Sequence, residues 1–352
     1  MRVAVLGLRG FPNVQGGIET HCENLYPRLA ALGYNIRVYG RRHYLKTKKT
    51  FEYCKVEVVP LPCIHMKSLE TLSYMAFCWL ACLFSKPDIV HIHGIGPALL
   101  APLFRILGIK TVLTHHGQDY QRNKWGRISK KVLRIGERIG VKYANTVIAL
   151  NGFTKDFLTK EYGKNAVTVI PNGVEISSRK CDGSGGFILA VGRFVKEKGF
   201  HDLVDAVCDS GKKLVIAGKP DHESDYSRTL ERSAKAAGVE LAGFVQGEAK
   251  ENLFLKCRLF VIPSLHEGLP FTLLEAMSYN CDILASDIPA NMEVSLPQEC
   301  YYPVGDADEL AVKIEEKLKR PFEPCDYDAI LKERYDWSEI AEKVESVYGG
   351  VV

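Results

Sequence analysis

Residues 259–280 read LFVIPSLHEGLPFTLLEAMSYN. Leu259-Phe260-Val261-Ile262 is a short apolar run bounded by breakers, the pattern of a buried strand. Pro263, Ser264 and Gly268 then turn the chain into a loop. From Pro270 the period becomes helical. Phe271, Leu274 and Met277 recur at i, i+3 and i+6, with Pro270 read as the first helical position. Two carboxylates flank the junction, Glu267 in the loop and Glu275 inside the helix. Gly268, Leu269, Pro270 and Phe271 lead into a helix N-terminus, where free backbone N–H groups and the helix dipole attract an anion. A carboxylate beside such a site is not there to bind the anion. It is suited to accept hydrogen bonds from hydroxyls, as on a sugar or a ribose. Spacing alone leaves a second reading open, in which Glu267 caps the helix and Glu275 is solvated.

Outward from this stretch, the chain alternates strand-like and helix-like segments. The first half carries strand-like runs at residues 2–8, 35–40, 56–61, 88–93, 110–115, 145–150 and 167–170. The second half carries them at 187–191, 213–217, 240–245, 259–262 and 282–285. This alternation predicts two mostly parallel sheets, each with helices on both faces. The fold class is therefore α/β, with two Rossmann-like, doubly wound domains. The predicted divisions are 1–170, a linker 171–186 rich in Ser, Gly and charge, a second domain 187–325, and a helical tail 326–352.

Ligands of such sheets bind beyond the carboxyl ends of the strands. Several polar residues fall there. Gly192-Arg193 ends one strand and Lys198 precedes a helix, and two cations beside a glycine suit a diphosphate. The plainer alternative is an Arg and a Lys on a mobile loop. Gly16-Gly17 follow the first strand and open a helix, but they do not fit G-x-G-x-x-G, so no dinucleotide site is read. Their backbone could approach a phosphate or an acceptor sugar, or form a plain tight turn. His91 and His93 end one strand, and His115-His116 another.

Taken together, Glu267 and Glu275 with Gly268 and Pro263-Ser264, Gly192-Arg193 with Glu197-Lys198-Gly199, and Pro171-Asn172-Gly173-Val174 resemble family 4 of the glycosyltransferases. Arg9-Gly10-Phe11-Pro12 and Gly16-Gly17-Ile18-Glu19-Thr20 resemble the first loop of a subgroup often assigned to rhamnose or other sugar transfer in bacterial surface polysaccharides. The resemblance covers nearly the whole chain. It implies a retaining, nucleotide-sugar-dependent enzyme of the GT-B type, whose two domains face each other across a cleft, with a C-terminal helix returning to the first. It also implies roles. Glu275 takes the ribose hydroxyls, Arg193 and Lys198 the diphosphate, Glu267 the sugar hydroxyls, and the backbone after Gly268 further phosphate oxygens. Phe244-Val245 lie near the base, and His116 contacts the donor sugar, with His115 as the alternative. The resemblance also implies no metal or other cofactor, because Arg, Lys and helix dipoles take a metal's place in this fold class, and no general base is assigned.

Composition bounds the partners. The chain has 352 residues, 46% hydrophobic and 25% charged, and a net charge of +4. Residues 1–170 hold 25 Lys+Arg against 10 Asp+Glu, while 171–352 hold 21 against 32. Such asymmetry suggests a charged partner for the first half. No nucleic-acid motif is present, so an anionic membrane surface or a lipid-pyrophosphate glycan fits better. Residues 125–142, from Trp125, are basic and amphipathic, with Arg127, Lys130, Lys131, Arg134 and Arg138 opposite Ile128, Val132, Ile135 and Ile139. Two readings stand: a helix on lipid headgroups, or one with its apolar face on the sheet. The longest apolar run, 69–84, falls short of the ~20 residues that span a bilayer and is read as a buried helix. Eleven cysteines without a C-x-x-C pair or a leader-like start point to core thiols in a reducing, cytoplasmic compartment, with a peripheral seat on the inner membrane face as a further expectation. Two rivals to transfer are an epimerase, which needs acid–base residues at the sugar carbon, and a non-catalytic nucleotide-sugar-binding protein, which needs no leaving-group cations.

Overall fold

The computed structural model describes residues 1–64, 66, 69–121, 126–208, 210–220, 223–268 and 270–352. The chain divides into two units, Met1–Gly173 with Trp337–Val352, and Val174–Asp336. Both are α/β units of the Rossmann-like kind.

In the first unit, β1 (Arg2–Leu6), β2 (Asn35–Arg41), β3 (Phe51–Tyr53), β4 (Val56–Leu61), β5 (Ile89–His93), β6 (Lys110–His115), β7 (Thr146–Ala149) and β8 (Val167–Val169) form one sheet in the order β3-β4-β2-β1-β5-β6-β7-β8. All pairings are parallel except β3 with β4. That pair turns at Cys54-Lys55, both at positive φ, as a tight hairpin requires. Central strands are covered on both faces, which is why Val3, Ala4, Val5 and Leu6 run apolar without alternation.

Right-handed crossovers decide which face each helix takes. Connections advancing toward β8 carry the helices Glu70–Ser85, Ala101–Ile106, Arg127–Tyr143 and Gly152–Tyr162. Their buried residues Tyr74, Cys78, Phe104, Val141 and Leu158 share one core with Leu6, Val90 and Ile92. The connection from β1 back to β2 carries the helix Gly17–Ala31, and the helix Trp337–Val351 packs on it, with Tyr348 set 5.7 Å from Tyr34, ring to ring.

In the second unit, β9 (Ile188–Val191), β10 (Leu214–Ala217), β11 (Glu240–Gly243), β12 (Leu259–Ile262), β13 (Ile283–Ser286) and β14 (Tyr301–Tyr302) form a sheet in the order β11-β10-β9-β12-β13-β14, parallel throughout. Strand order reverses between β9 and β12. The helix Phe200–Val207 leaves β9 toward β10, and Phe271–Ser278 leaves β12 toward β13, so the crossovers take opposite faces and a crevice opens at the ends of β9 and β12.

Several expectations change. The segment 69–84 is not a buried helix. Only Tyr74, Met75, Cys78 and Cys82 of Glu70–Ser85 are buried, and Phe84 is 86% exposed. Apolar residues on both sides hid the helix's orientation. Along Arg127–Tyr143 the sheet side is Gly136, Glu137, Gly140 and Val141, while Ile128, Val132 and Ile135 are exposed beside the cations. The small residues explain it. A Cβ on Gly136 would lie 2.5 Å from the Ile95 carbonyl oxygen, and one on Gly140 2.4 Å from the Ala98 Cβ, so the glycines let this helix press onto the 95–98 segment. Trp125 lies outside the described residues. Residues 174–186 are not a free linker: the N–H groups of Cys181, Asp182 and Gly185 donate to the carbonyls of Tyr279, Leu255 and Lys256 in the second unit. The tail 326–352 divides, with 326–336 in the second unit and the Trp337 helix in the first.

Candidate functional site

In the second unit the loops after β9 and β12 bring Gly192, Lys198, Ser264 and Glu267 together. After β9 the chain turns through Gly192 and Arg193 into a short 3₁₀ turn, Lys196–Lys198, and after β12 it passes through 263–268. The two loops are laced together. Leu265 and His266 N–H groups donate to the Glu197 carbonyl at 2.8 and 3.3 Å. Gly199 sits at φ +63°, and a Cβ there would lie 1.8 Å from the Pro263 carbonyl oxygen. Only glycine fits that approach. Gly192 packs on the stem of Lys198, and a Cβ on it would lie 3.3 Å from the Lys198 Cε.

At the centre, Lys198 Nζ donates to Glu267 Oε1, both side chains mostly buried. Ser264 Oγ donates to the same oxygen at 2.7 Å. Ser264 is itself fixed, since the Ser286 hydroxyl donates to its carbonyl at 2.6 Å and Asn291 Nδ2 donates to the Ser286 carbonyl at 2.9 Å. Glu267 Oε1 is thus engaged by an ammonium and a hydroxyl. It holds a cation at the mouth of the crevice. Arg193 lies half-buried two residues beyond β9.

Glu275 lies within the helix Phe271–Ser278, and Pro270 is the cap residue before it rather than its first residue. Lys250 Nζ donates to Glu275 Oε1 at 2.5 Å. Glu275 Oε2 is shielded from solvent and has no hydrogen-bond partner among the described residues. The side chain is thus not freely solvated: one oxygen is used and one is left. Gly268 and Phe271 are half-buried at the same junction, and Leu269 lies outside the described residues. Strand β11 stops at Gly243, so Phe244 and Val245 belong to the following loop, not to a strand. Phe244 is exposed, with Lys219 Nζ 5.1 Å from its ring centre.

The first unit separates the two adjacent histidines. His115 is fully buried, its Nε2 2.8 Å from Glu137 Oε1, and Tyr120 and Tyr162 hydroxyls donate to Glu137 Oε2. It is a core residue. His116 is half-buried, and its Nε2 lies 2.8 Å from His93 Nδ1. Behind it, Tyr26 hydroxyl links His93 Nε2 and His91 Nδ1, and Tyr348 hydroxyl reaches His91 Nδ1 at 2.7 Å. His21 stands edge-on to His116 with ring centres 5.2 Å apart, its Nδ1 2.9 Å from Asn172 Oδ1. Burial pushes His21 down to about 4 and His91 to about 3, and holds His93 well below the usual range. Gly16 has a local reason to be glycine: at φ +157° its Cβ would fall 1.9 Å from Glu19 Oε2. Glu19 accepts the Arg9 N–H at 2.9 Å and fastens the loop, and burial raises its carboxyl pKa. Gly17 begins the helix.

Sequence reading missed Lys250, Ser264, Ser286, Asn291, Tyr26 and His21. Ser264 had a local signal, since S-x-x-E places a hydroxyl and a carboxylate within reach. Lys250 lies 25 positions before Glu275 and had none.

Comparison with known proteins gives the family of each half of the chain. The family model Glycosyltransferase Family 4 matches residues 15–178, and Glycosyl transferases group 1 matches 176–344. Among curated relatives, the phosphatidylinositol N-acetylglucosaminyltransferase gpi3 subunit of Schizosaccharomyces pombe is 24% identical over 364 residues, 96% of this chain and 78% of that protein. Among solved structures, sucrose-phosphate synthase from Thermosynechococcus elongatus superposes with a TM-score of 0.86 at 18% identity, covering 99% of this chain and 98% of that one. HepE of Anabaena, solved in complex with UDP-glucose, gives 0.78 at 18% identity, covering 99% and 100%. At such identities the structures speak for the fold alone. With its two halves matched in succession by two glycosyltransferase models, and two Rossmann-like units that superpose on GT-B proteins, the chain is a glycosyltransferase with the GT-B fold.

Proposed function

We propose that the chain transfers a sugar, with retention, from a nucleoside-diphosphate sugar to a glycan or lipid-pyrophosphate-linked acceptor in the assembly of a bacterial surface polysaccharide, in the manner of the rhamnosyltransferase-like subgroup. The observation that carries the donor assignment is Lys198 held against Glu267 where β9 and β12 diverge. A lysine stem is flexible, and the ion pair keeps the ammonium aimed into the crevice before donor arrives. A diphosphate entering there competes for Lys198 and frees a Glu267 oxygen for sugar hydroxyls. Arg193, on the loop after β9, is assigned the second contact to the diphosphate. Glu275, whose Oε1 is held by Lys250, is assigned the ribose hydroxyls.

The chemistry follows from charge. As the bond from the anomeric carbon to the phosphate oxygen breaks, negative charge gathers on the diphosphate, where Lys198, Arg193 and the N-terminus of Phe271–Ser278 stabilise it. The acceptor oxygen bonds to that carbon from the same face, and its proton leaves with the diphosphate. These cations take the part a metal plays elsewhere, so the proposal includes no metal. The solved complex of HepE with UDP-glucose supports a nucleotide-sugar donor. The phosphatidylinositol relative and the basic helix Arg127–Tyr143 support an acceptor at a membrane surface.

A panel of nucleotide sugars tests the donor assignment by thermal shift. One or a few should raise the Tm by mass action, and the same donors should be consumed when lipid-linked acceptors are added. NMR of the product then reads the anomeric configuration. No stabilisation by any nucleoside diphosphate or its sugars would defeat the donor site, and an inverted product would defeat retention.

A further inference from the structure

The helix Glu70–Ser85 is apolar on the wrong side for a core helix. Its inner side, Tyr74, Met75, Cys78 and Cys82, is fully buried against the sheet. Its outer side shows Leu69, Leu72, Phe77, Leu80 and Phe84, all at least 37% exposed and recurring at helical spacing. Ile106, 79% exposed, ends the next helix in the same layer. Scattered apolar residues on a surface need no explanation, but a stripe the length of a 16-residue helix, about 24 Å, does.

What covers it is indicated by its neighbour. Helices Glu70–Ser85, Ala101–Ile106 and Arg127–Tyr143 cover the same face of the sheet. The last adds exposed Ile128, Val132 and Ile135 among Arg127, Lys131, Arg134 and Arg138. An apolar stripe in the same layer as a cationic, partly apolar helix, with the 97–106 segment between them, complements the acyl and headgroup layers of an anionic bilayer. A second copy fits worse, because a two-fold contact through this layer would bring both cationic helices to one interface. Nor can the helix cross a bilayer: no helix among the described residues is long and apolar enough, and its inner side is locked in the core. We propose that Glu70–Ser85 is a membrane-insertion element, lying in the plane of an anionic leaflet with Phe77, Leu80 and Phe84 among the acyl chains. The inference extends the membrane seat of the proposed function and rests on that reading for its occupant.

The full chain is tested with vesicles of phosphatidylglycerol and phosphatidylethanolamine, without donor or acceptor. Phe84→Trp should give added emission that shifts to the blue on these vesicles and is quenched by brominated acyl chains. The variant Phe77→Ser/Leu80→Ser/Phe84→Ser should partition at least about ten-fold more weakly, most clearly at high salt where charge is screened. Its Tm and nucleotide-sugar binding should match the parent, since the three side chains are exposed and lie outside the donor unit. Unchanged partitioning of the triple variant, or Trp emission unmoved by vesicles, would overturn the proposal. So would a dimer in sedimentation velocity that the triple variant abolishes, which would make a second copy the occupant. Failure of the transferase reading would appear instead as absent donor binding and would leave the vesicle result untouched.

Discussion

Lys198 and Glu267 neutralise each other in a setting that leaves 16% and 13% of their side chains exposed. Replacing Lys198 by Ala removes the aimed cation, and sugar transfer should fall by about 10²–10³-fold, the usual effect of losing one preformed charge stabiliser. Steady-state rates with the preferred donor, read beside the Tm, check this. A near-normal rate in a folded variant would remove Lys198 from the leaving-group role. The histidines make a second prediction. His21, His91 and His93 are held neutral in the fold chiefly by burial, each below its ordinary 6.5. Above about pH 6.5 neither folded nor unfolded chain protonates them, and stability is complete. As pH falls, the unfolded chain takes up protons that the fold refuses. Stability is lost from about pH 6.5 down through the folded values of about 4 for His21 and about 3 for His91. Each histidine contributes roughly 1.4 kcal/mol per pH unit in that window. Glu19 and Asp202 have the opposite sign, because pKa values raised by burial favour the fold on acidification, but they are two groups against three. Chemical denaturation from neutral to mildly acidic pH should show a flat region, then a decline. Stability that holds or rises below pH 6 would contradict the neutral cluster.

At the scale of elements, the site depends on two loops pressed closer than side chains allow. Gly199→Ala would add a Cβ 1.8 Å from the Pro263 carbonyl oxygen at φ +63°. The loops must separate, and the change should cost about 1–3 kcal/mol and lower transfer together with donor affinity. Denaturation and donor titration measure both. Full activity would mean that the lacing of 196–199 to 263–266 is not what sets the site. This closeness also shows what a sequence can and cannot tell. Strands Val56–Leu61, Lys110–His115 and Leu259–Ile262 fall on their predicted bounds, and Leu259–Ile262, buried along its whole length, is the unbroken apolar run that cover on both faces demands. The hairpin strand Phe51–Tyr53 and the edge strand Tyr301–Tyr302 are not, being too short to show a period. Glu267 and Glu275 were legible as a pair, but their partners come from other elements, Lys198 from a 3₁₀ turn and Lys250 from the helix Gly247–Lys256, and only the sheet order brings them close. The outward stripe of Glu70–Ser85 was illegible for another reason: when both sides are apolar, the pattern does not say which one meets the sheet.

For the whole molecule, the charge division follows the structural division. The first unit holds 26 Lys+Arg and 13 Asp+Glu, and the second 20 and 29. Arg193, Lys198, Glu267 and Glu275, the residues proposed to bind the donor, all belong to the acidic unit, and the cationic helix to the basic one. Membrane seating and donor binding should therefore be separable by mutation. Arg127, Lys131 and Arg138 are exposed on the helix Arg127–Tyr143. Arg134 is better left alone, because its guanidinium rests 5.0 Å over the Tyr120 ring, which in turn supports buried Glu137. Each cation near an anionic leaflet is worth about 1 kcal/mol, so reversing three to Glu should weaken vesicle binding by at least about 10²-fold at low salt. The loss should shrink as salt rises and screens the charges. The residual, salt-resistant binding is what the apolar stripe accounts for, and it should persist in the charge-reversed chain. Co-sedimentation across a salt series, with donor affinity measured on the same proteins, reads both contributions. If the reversed chain binds anionic vesicles as tightly as the parent at low salt, the cationic helix does not face the membrane, whatever its neighbour does. If its donor affinity falls as well, the two units are not functionally separate, and the division of labour read from their charges is wrong.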